Sequence, residues 1–133
     1  MTEPDYDPRH NPHKTHRGLK RIQMAAGHSY DGLRFAFLEE SAFRQELLLA
    51  AIMLPWAFLI DFNIIERLLM VGSIVLVLIV ELLNSGIEAT IDRISFQNHS
   101  LSKRAKDYGS AAVLLSLILC GATWASLLFT HLQ

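Results

Sequence analysis

Three long apolar blocks constrain the fold of this chain more than any other feature. They occupy residues 47–60 (LLLAAIMLPWAFLI), 68–80 (LLMVGSIVLVLIV) and 111–129 (AAVLLSLILCGATWASLLF). A helix needs roughly 20 mostly apolar residues to cross a membrane. The third block has this length by itself, the second reaches it by continuing through Asn84, and the first by starting at Ser41. In a chain of 133 residues, 51% of them hydrophobic, such blocks predict an all-α membrane protein with three transmembrane helices rather than a soluble bundle.

The distribution of basic residues predicts how these helices are oriented. Seven of the twelve lysines and arginines precede the first block, and four more lie between the second and the third. Only Arg67 lies between the first two blocks, and none follows the third. Because basic residues are retained on the cytoplasmic side, we expect a cytoplasmic N-terminus and a cytoplasmic loop at residues 92–107, with the C-terminus outside. A formal net charge of −1 does not indicate a nucleic-acid partner.

The N-terminal region divides into a tail and an amphipathic segment. Residues 1–15 contain three of the four prolines and almost no aliphatic side chains. This composition predicts a disordered tail before a single membrane domain at residues 16–133. Between residues 18 and 37, apolar side chains such as Leu19 and Ile22 alternate with basic ones. That pattern is typical of a helix lying in the membrane interface, whereas a solvated helix would leave its apolar residues without a core.

The segment VELLNSGIEATIDR (residues 80–93) carries polar side chains where the second block ends. The spacing i, i+3, i+4, i+7 and i+11 puts them on one helical stripe, and they are Glu81, Asn84, Ser85, Glu88 and Asp92. An ionisable residue deep in a membrane is costly and is usually functional, and a buried carboxyl is suited to act as a general base. Alternatively, Glu81 hydrogen-bonds neighbouring helices together, although a second carboxyl two turns away is not needed for that role.

A second acidic group precedes the first block, where the segment LEESAFRQE contains Glu39, Glu40 and Glu46. Beside Glu88, one of these carboxyls would complete an all-oxygen site suited to magnesium. A solvated helix start, where acidic residues face the positive end of the helix dipole, explains the same residues equally well.

Lys106 and Asp107 are adjacent at the start of the third block, at the membrane level expected for Glu88. A lysine can neutralise phosphate charge, and an acidic residue can bind magnesium or a ribose hydroxyl. Cytoplasmic anchoring alone also explains the basic residues here. The sequence contains neither G-x-x-x-x-G-K-[ST] nor G-x-G-x-x-G, so nucleotide chemistry would not use a standard phosphate loop. The residues by themselves support a membrane enzyme and an ion-coupled transporter about equally.

Four segments closely resemble the prokaryotic diacylglycerol kinase family. They are MAAGHSYDGLR (residues 24–34), ESAFRQE (40–46), VELLNSGIEATIDRIS (80–95) and RAKDYGSAAVL (104–114). They occur in the family's order and spacing, and the resemblance extends from about Gly18 to the C-terminus. The chain departs from the family pattern in SFQNHS (residues 95–100), where Gln97 and Asn98 are not the expected types.

The resemblance implies a small lipid kinase of the bacterial inner membrane, in which an amphipathic surface helix precedes the three transmembrane helices. It also implies a homotrimer, with active sites shared between neighbouring subunits at the cytoplasmic interface. The implied reaction moves the γ-phosphate of ATP, as its magnesium complex, to the hydroxyl of diacylglycerol and gives phosphatidic acid. An undecaprenol kinase of the same family is the alternative, but the A-K-D-Y-G-S and R-Q-E segments favour diacylglycerol as the acceptor.

The same resemblance implies roles for individual residues. Glu81 is the general base, Asn84 positions Glu81 or the acceptor, and Glu40 and Glu88 bind magnesium. The residues that align with nucleotide contacts are Arg21, His28, Glu40, Glu88, His99, Lys106 and Asp107. Those that align with lipid contacts are Arg21, Ser29, Arg34, Arg44, Gln45, Glu46, Glu81 and Ser110. A cation-coupled transporter with Glu81 and Glu88 as its relay, or a purely structural subunit, would leave Lys106 without a role.

Overall fold

The computed structural model describes residues 19–94 and 99–133, which form four α-helices. They are α1 (Leu19–Glu39), α2 (Ser41–Leu59), α3 (Ile64–Ile94) and α4 (Ser100–His131). Helices α2, α3 and α4 are long and apolar enough to cross a membrane, so the predicted all-α class and the three spans are confirmed. The tail predicted at residues 1–15 and the segment at residues 95–98 lie outside the described residues.

The two longest helices extend beyond the apolar blocks that predict them. Helix α3 has 31 residues and α4 has 32, which correspond to roughly 46–48 Å of helix, compared with a hydrocarbon thickness of about 30 Å. The prediction of a loop over residues 92–107 was therefore wrong in extent, because the chain is helical through Ile94 and again from Ser100. Polar residues outside the apolar blocks continue the backbone hydrogen bonding of the spanning helices, so Glu88 and Lys106 are held on helices.

The chain forms two compact units, one ending at Arg34 and the other comprising residues 35–133. In the first unit, every described residue of α1 is exposed, including the apolar Leu19, Ile22 and Leu33. A helix with exposed apolar side chains is suited to lie on a membrane, and the interfacial position of α1 stays a prediction.

Within residues 35–133, α3 packs against both α2 and α4. Met70 of α3 is 0% exposed, and its carbonyl oxygen accepts hydrogen bonds from Trp124 Nε1 at 3.2 Å and from Ser73 Oγ at 2.8 Å. Ser73 Oγ also lies 3.5 Å from Cys120 Sγ on α4. Ala57 of α2 is 0% exposed, and such a small residue lets neighbouring helix backbones approach closely. The core therefore combines apolar packing with hydrogen bonds between α3 and α4.

Asn63 and Arg67 hold the turn between α2 and α3. Asn63 Oδ1 accepts hydrogen bonds from two backbone N–H groups of the first turn of α3, at 2.9 and 3.0 Å. The Asn63 backbone N–H donates in return to Glu66 Oε2 at 2.9 Å, an arrangement that satisfies the free donors of a helix start. Arg67 Nε donates to the carbonyl oxygen of Ala57 at 3.0 Å, and Nη2 donates to that of Phe62 at 3.2 Å. The polar residues of this turn thus bind backbone groups.

Replacing Met70 with alanine is expected to destabilise the fold by about 2 kcal/mol or more, because the helices around this side chain cannot close the cavity completely. Met70→Leu nearly conserves the volume and is expected to cost less than about 1.5 kcal/mol. Titration of the purified protein with a denaturing detergent measures both free energies of unfolding. Equal unfolding midpoints for Met70→Ala and the wild type would contradict the central position of this residue.

Candidate active site

The polar stripe of α3 is formed as the helical spacing predicts. Glu81 is only 3% exposed, although it carries a carboxyl group. Asn84, Glu88 and Asp92 follow on the same side of the helix and are half-buried. Asn84 Nδ2 donates a hydrogen bond to Glu88 Oε1 at 3.4 Å. This stripe therefore presents a buried carboxyl, an amide and two further carboxyls along three turns of one helix.

Acidic side chains from the start of α2 face this stripe. Glu81 lies within electrostatic reach of the carboxyls of Glu40 and Glu88, and Glu46 lies within reach of Glu81. Oε2 of Glu46 is buried, and the structure shows no hydrogen-bond partner for it among the described residues. The structure therefore brings carboxyl groups from α3 and from the beginning of α2 within electrostatic reach of one another.

Glu40 occupies the single non-helical position between α1 and α2, where its backbone is extended and forms the N-cap of α2. The guanidinium of Arg44 holds this break, because Nη1 donates to the carbonyl oxygens of Phe37 at 3.1 Å and Leu38 at 3.0 Å. These carbonyl groups belong to the last turn of α1, which has no further helical donors for them. Because of this break, the orientation of Glu40 is not set by the helical periodicity of α1 or α2.

Lys106 and Asp107 form ion pairs with two different partners. Lys106 Nζ lies 2.6 Å from Asp92 Oδ1 on α3, and Lys103 Nζ lies 2.6 Å from Asp107 Oδ2 on α4. Lys106 is also within electrostatic reach of Glu88. Lys106 therefore lies beside the part of α3 that carries Glu88 and Asp92, and its membrane level stays a prediction. Sequence reasoning assigned no role to Asp92, although its position eleven residues after Glu81 placed it on the polar stripe.

Gly109 is a residue of the site that sequence reasoning missed. It is buried on α4, and a Cβ atom built on it would overlap Oδ1 of Asn84. That Oδ1 is itself buried, and no described residue donates a hydrogen bond to it. The signal in the sequence was the G-S pair that follows Lys106–Asp107, where small residues allow two helices to approach closely.

The remaining predicted residues are exposed in the structure. Those of α1, in the unit that ends at Arg34, are Arg21, His28, Ser29 and Arg34, and Ser29 Oγ donates to the carbonyl oxygen of Ala25 at 2.9 Å. Gln45 of α2 and Ser110 of α4 are exposed as well. His99 caps α4, because its Nδ1 accepts a hydrogen bond from the backbone N–H of Leu101 at 3.2 Å. Their roles in binding nucleotide or lipid stay predictions.

A small, partly open cleft of about 50 Å³ lies between α2, α3 and α4. Glu46 contributes a carboxyl group to a lining that is otherwise apolar and includes Leu49, Met53, Val77 and Leu117. Pockets with apolar walls and a few polar groups are typical of sites for small amphipathic ligands. The cleft therefore places the carboxyl group of Glu46 beside apolar side chains.

Residues 27–128 match the prokaryotic diacylglycerol kinase family. The chain is 52% identical over 118 residues to the diacylglycerol kinase of Pseudomonas aeruginosa, which covers 89% of this chain and 96% of that protein. It is 50% identical over 117 residues to the diacylglycerol kinase of Escherichia coli strain K12, covering 86% and 93% of the two chains. The diacylglycerol kinase of Haemophilus influenzae is 44% identical over 112 residues, covering 84% and 95%.

The family match includes every element of the site that α2, α3 and α4 contribute. The matched range, residues 27 to 128, includes Glu40 at the N-cap of α2, Glu46 of α2, Glu81 and Glu88 of α3, and Lys106 of α4. The three relatives are matched over almost their entire length, so the likeness is not limited to one membrane span. The chain belongs to the prokaryotic diacylglycerol kinase family.

Proposed function

We propose that this protein is an ATP-dependent diacylglycerol kinase of the bacterial inner membrane, a phosphotransferase with an alcohol acceptor. It transfers the γ-phosphate of MgATP to the free hydroxyl of diacylglycerol and forms phosphatidic acid and ADP. The observation that carries this proposal is the buried carboxyl of Glu81 on a membrane-spanning helix, one turn from Asn84 and two turns from Glu88. Membership of the family, and relatives named diacylglycerol kinase, support the same activity.

Glu81 acts as the general base in this proposal. The acceptor hydroxyl loses its proton to the Glu81 carboxylate, its oxygen forms a bond to the γ-phosphorus, and the bond from that phosphorus to the β–γ bridging oxygen breaks. Such a transfer needs positioning and charge neutralisation more than covalent catalysis by the protein. A base inside the apolar region suits this reaction because the acceptor is itself a membrane lipid. Glu81 is buried among the helices of the chain, so the acceptor hydroxyl would have to reach it between those helices.

Glu40 and Glu88 would hold Mg²⁺, which stabilises the charge of the phosphate oxygens when it is bound. The donor set fits this ion, because carboxylate oxygens are hard ligands, and Mg²⁺ is usually held by one or two carboxylates together with substrate phosphates and water. Within residues 19–94 and 99–133, no three His, Cys, Asp or Glu side chains lie close enough together to hold a metal. In this proposal Glu40 and Glu88 would supply two ligands, and phosphate oxygens and water would supply the others.

The nucleotide is proposed to bind on the cytoplasmic side of these carboxyls. Lys106 and Asp107 would contact it, together with Arg21, His28 and His99. Lys106 holds Asp92 in the structure, so binding of a triphosphate would replace one anionic partner of this lysine by another. The site would then change its charge pairing without a change of fold.

Diacylglycerol is proposed to approach from the membrane. Its contacts would come from Arg21, Ser29, Arg34, Arg44, Gln45, Glu46 and Ser110, and one of its chains would lie against the apolar side chains beside Glu46. The active form would be a homotrimer with sites shared between subunits, surrounded by membrane lipids. The many exposed apolar side chains of α2, α3 and α4 would be covered by lipid and by neighbouring subunits. The N-terminus would be cytoplasmic and the C-terminus outside.

The first experiment offers MgATP with either diacylglycerol or undecaprenol to the detergent-solubilised protein and follows phosphate transfer. We expect transfer to diacylglycerol, and we expect Glu81→Gln to lower kcat by about 10²- to 10⁴-fold, because general-base catalysis contributes about that much. Asp61→Asn is the control, since Asp61 is an exposed carboxyl in the turn between α2 and α3.

Three outcomes of this experiment would contradict parts of the proposal. Transfer mainly to undecaprenol would show that undecaprenol is the preferred acceptor. A wild-type kcat in Glu81→Gln would show that Glu81 is not the general base. Failure of the folded wild-type protein to phosphorylate either lipid would contradict the kinase activity itself. A melting temperature measured for each variant separates a catalytic loss from a folding loss.

The pairing of Lys106 with Asp92 predicts a change in nucleotide affinity. Asp92→Asn frees the lysine from its anionic partner, so the KM for MgATP is expected to fall by up to about fivefold, as the small contribution of an exposed ion pair allows. Asp61→Asn, an exposed aspartate in the turn between α2 and α3, is the control and should leave this KM unchanged. A KM that rises in Asp92→Asn would show that Asp92 supports nucleotide binding instead of competing with it.

A further inference from the structure

The contact between Gly109 and Asn84 is closer than a side chain at position 109 would allow. A Cβ atom on Gly109 would overlap Asn84 Oδ1 and would lie 3.2 Å from Asn84 Cγ, but 3.8 Å from Asn84 Cα. A separation of 3.8 Å is an ordinary van der Waals distance between carbon atoms. The backbones of α3 and α4 could therefore accept an alanine at their present separation, whereas the amide end of Asn84 could not stay in place.

Gly109 differs in this respect from the other glycines of the described helices. A Cβ atom built on Gly27, Gly32, Gly72, Gly86 or Gly121 would meet no atom within 4 Å. A glycine inside a helix is less favourable than alanine, so glycine at position 109 lowers the stability of α4. We therefore ask what the missing side chain makes possible. The space beside Gly109 is occupied by a side chain of the proposed active site.

The orientation of the Asn84 amide depends on that space. Its Oδ1 lies against Gly109 in a buried position without a hydrogen-bond partner among the described residues, while its Nδ2 donates to Glu88 Oε1 at 3.4 Å. An amide rotated away from Gly109 would lose this hydrogen bond. Glu88 would then keep its charge but lose the group that orients its carboxylate.

We infer that Gly109 is a positioning residue for the phosphoryl-transfer reaction, because its missing side chain leaves the space in which Asn84 orients Glu88. This inference rests on the proposed roles of Asn84 and Glu88. A methyl group at position 109 removes no metal ligand, no charge and no proton acceptor. It acts only through the rotation of the Asn84 side chain, and so it changes the orientation of Glu88 without changing the composition of the site.

The test compares Gly109→Ala with Gly121→Ala, which makes the same change on the same helix where the structure has open space. We measure the melting temperature of each variant, its kcat with MgATP and diacylglycerol, and the Mg²⁺ concentration that gives half-maximal rate. For Gly109→Ala we expect a melting temperature no lower than that of the wild type, since alanine favours the helix. We expect kcat to fall by about tenfold or more and the half-saturating Mg²⁺ concentration to rise. Gly121→Ala should keep all three values close to those of the wild type.

Other results would overturn the inference in distinguishable ways. A wild-type kcat and Mg²⁺ requirement in Gly109→Ala would show that this space is not needed. A melting temperature of Gly109→Ala that falls in parallel with its activity, or equal losses in both variants, would assign Gly109 to helix packing alone. A wild-type protein without diacylglycerol kinase activity would count against the proposed function, whereas the inference concerns only the difference between variants of an active enzyme.

Discussion

The close packing of α3 against α2 and α4 is the constraint on which the rest of the structure depends. One stripe of α3 faces its neighbours along the whole helix, and it is apolar around Met70 and Val77 and polar from Glu81 onward. Because both parts belong to one continuous helix, Glu81 lies roughly 16 Å along the axis from Met70. Packing of the apolar part therefore also determines the depth and the direction of the carboxyls. The core acts as the support of the site.

The acidic residues of this site work against the stability of the bundle. Glu81 is buried, Glu40 and Glu88 are within electrostatic reach of it, and Oε2 of Glu46 is buried without a partner among the described residues. A glutamate that only joined helices would need a donor opposite it, whereas these side chains face further carboxyls. Local violations of the rules of stable packing are expected at functional sites. The arrangement fits the proposed magnesium site, in which a bound cation would offset the repulsion between carboxylates.

The sequence was sufficient for features that depend on a single helix, and insufficient for those that depend on how two helices meet. The stripe from Glu81 to Asp92 follows from helical periodicity alone. The hydrogen-bond partner of Asn84 does not follow from periodicity. Glu81 and Glu88 lie on the same side of the helix, three and four residues from Asn84, and only the rotamer of Asn84 selects Glu88. The contact of Gly109 with Asn84 was likewise hidden, since it depends on the rotation of α4 about its own axis.

The topology explains why the chemical groups gather at only one end of the unit formed by residues 35–133. A short turn joins α2 to α3, so these helices are antiparallel neighbours. The beginning of α2 therefore lies beside the end of α3, and α4 begins at this same end of the unit. Glu40 and Glu46, the polar half of α3, and the segment from Lys106 to Gly109 are consequently brought together although they are far apart in sequence. The polar residues at the opposite end have another role, because Asn63 and Arg67 bind backbone groups of the turn. One end of this unit thus holds the hairpin, and the other carries the residues of the proposed reaction.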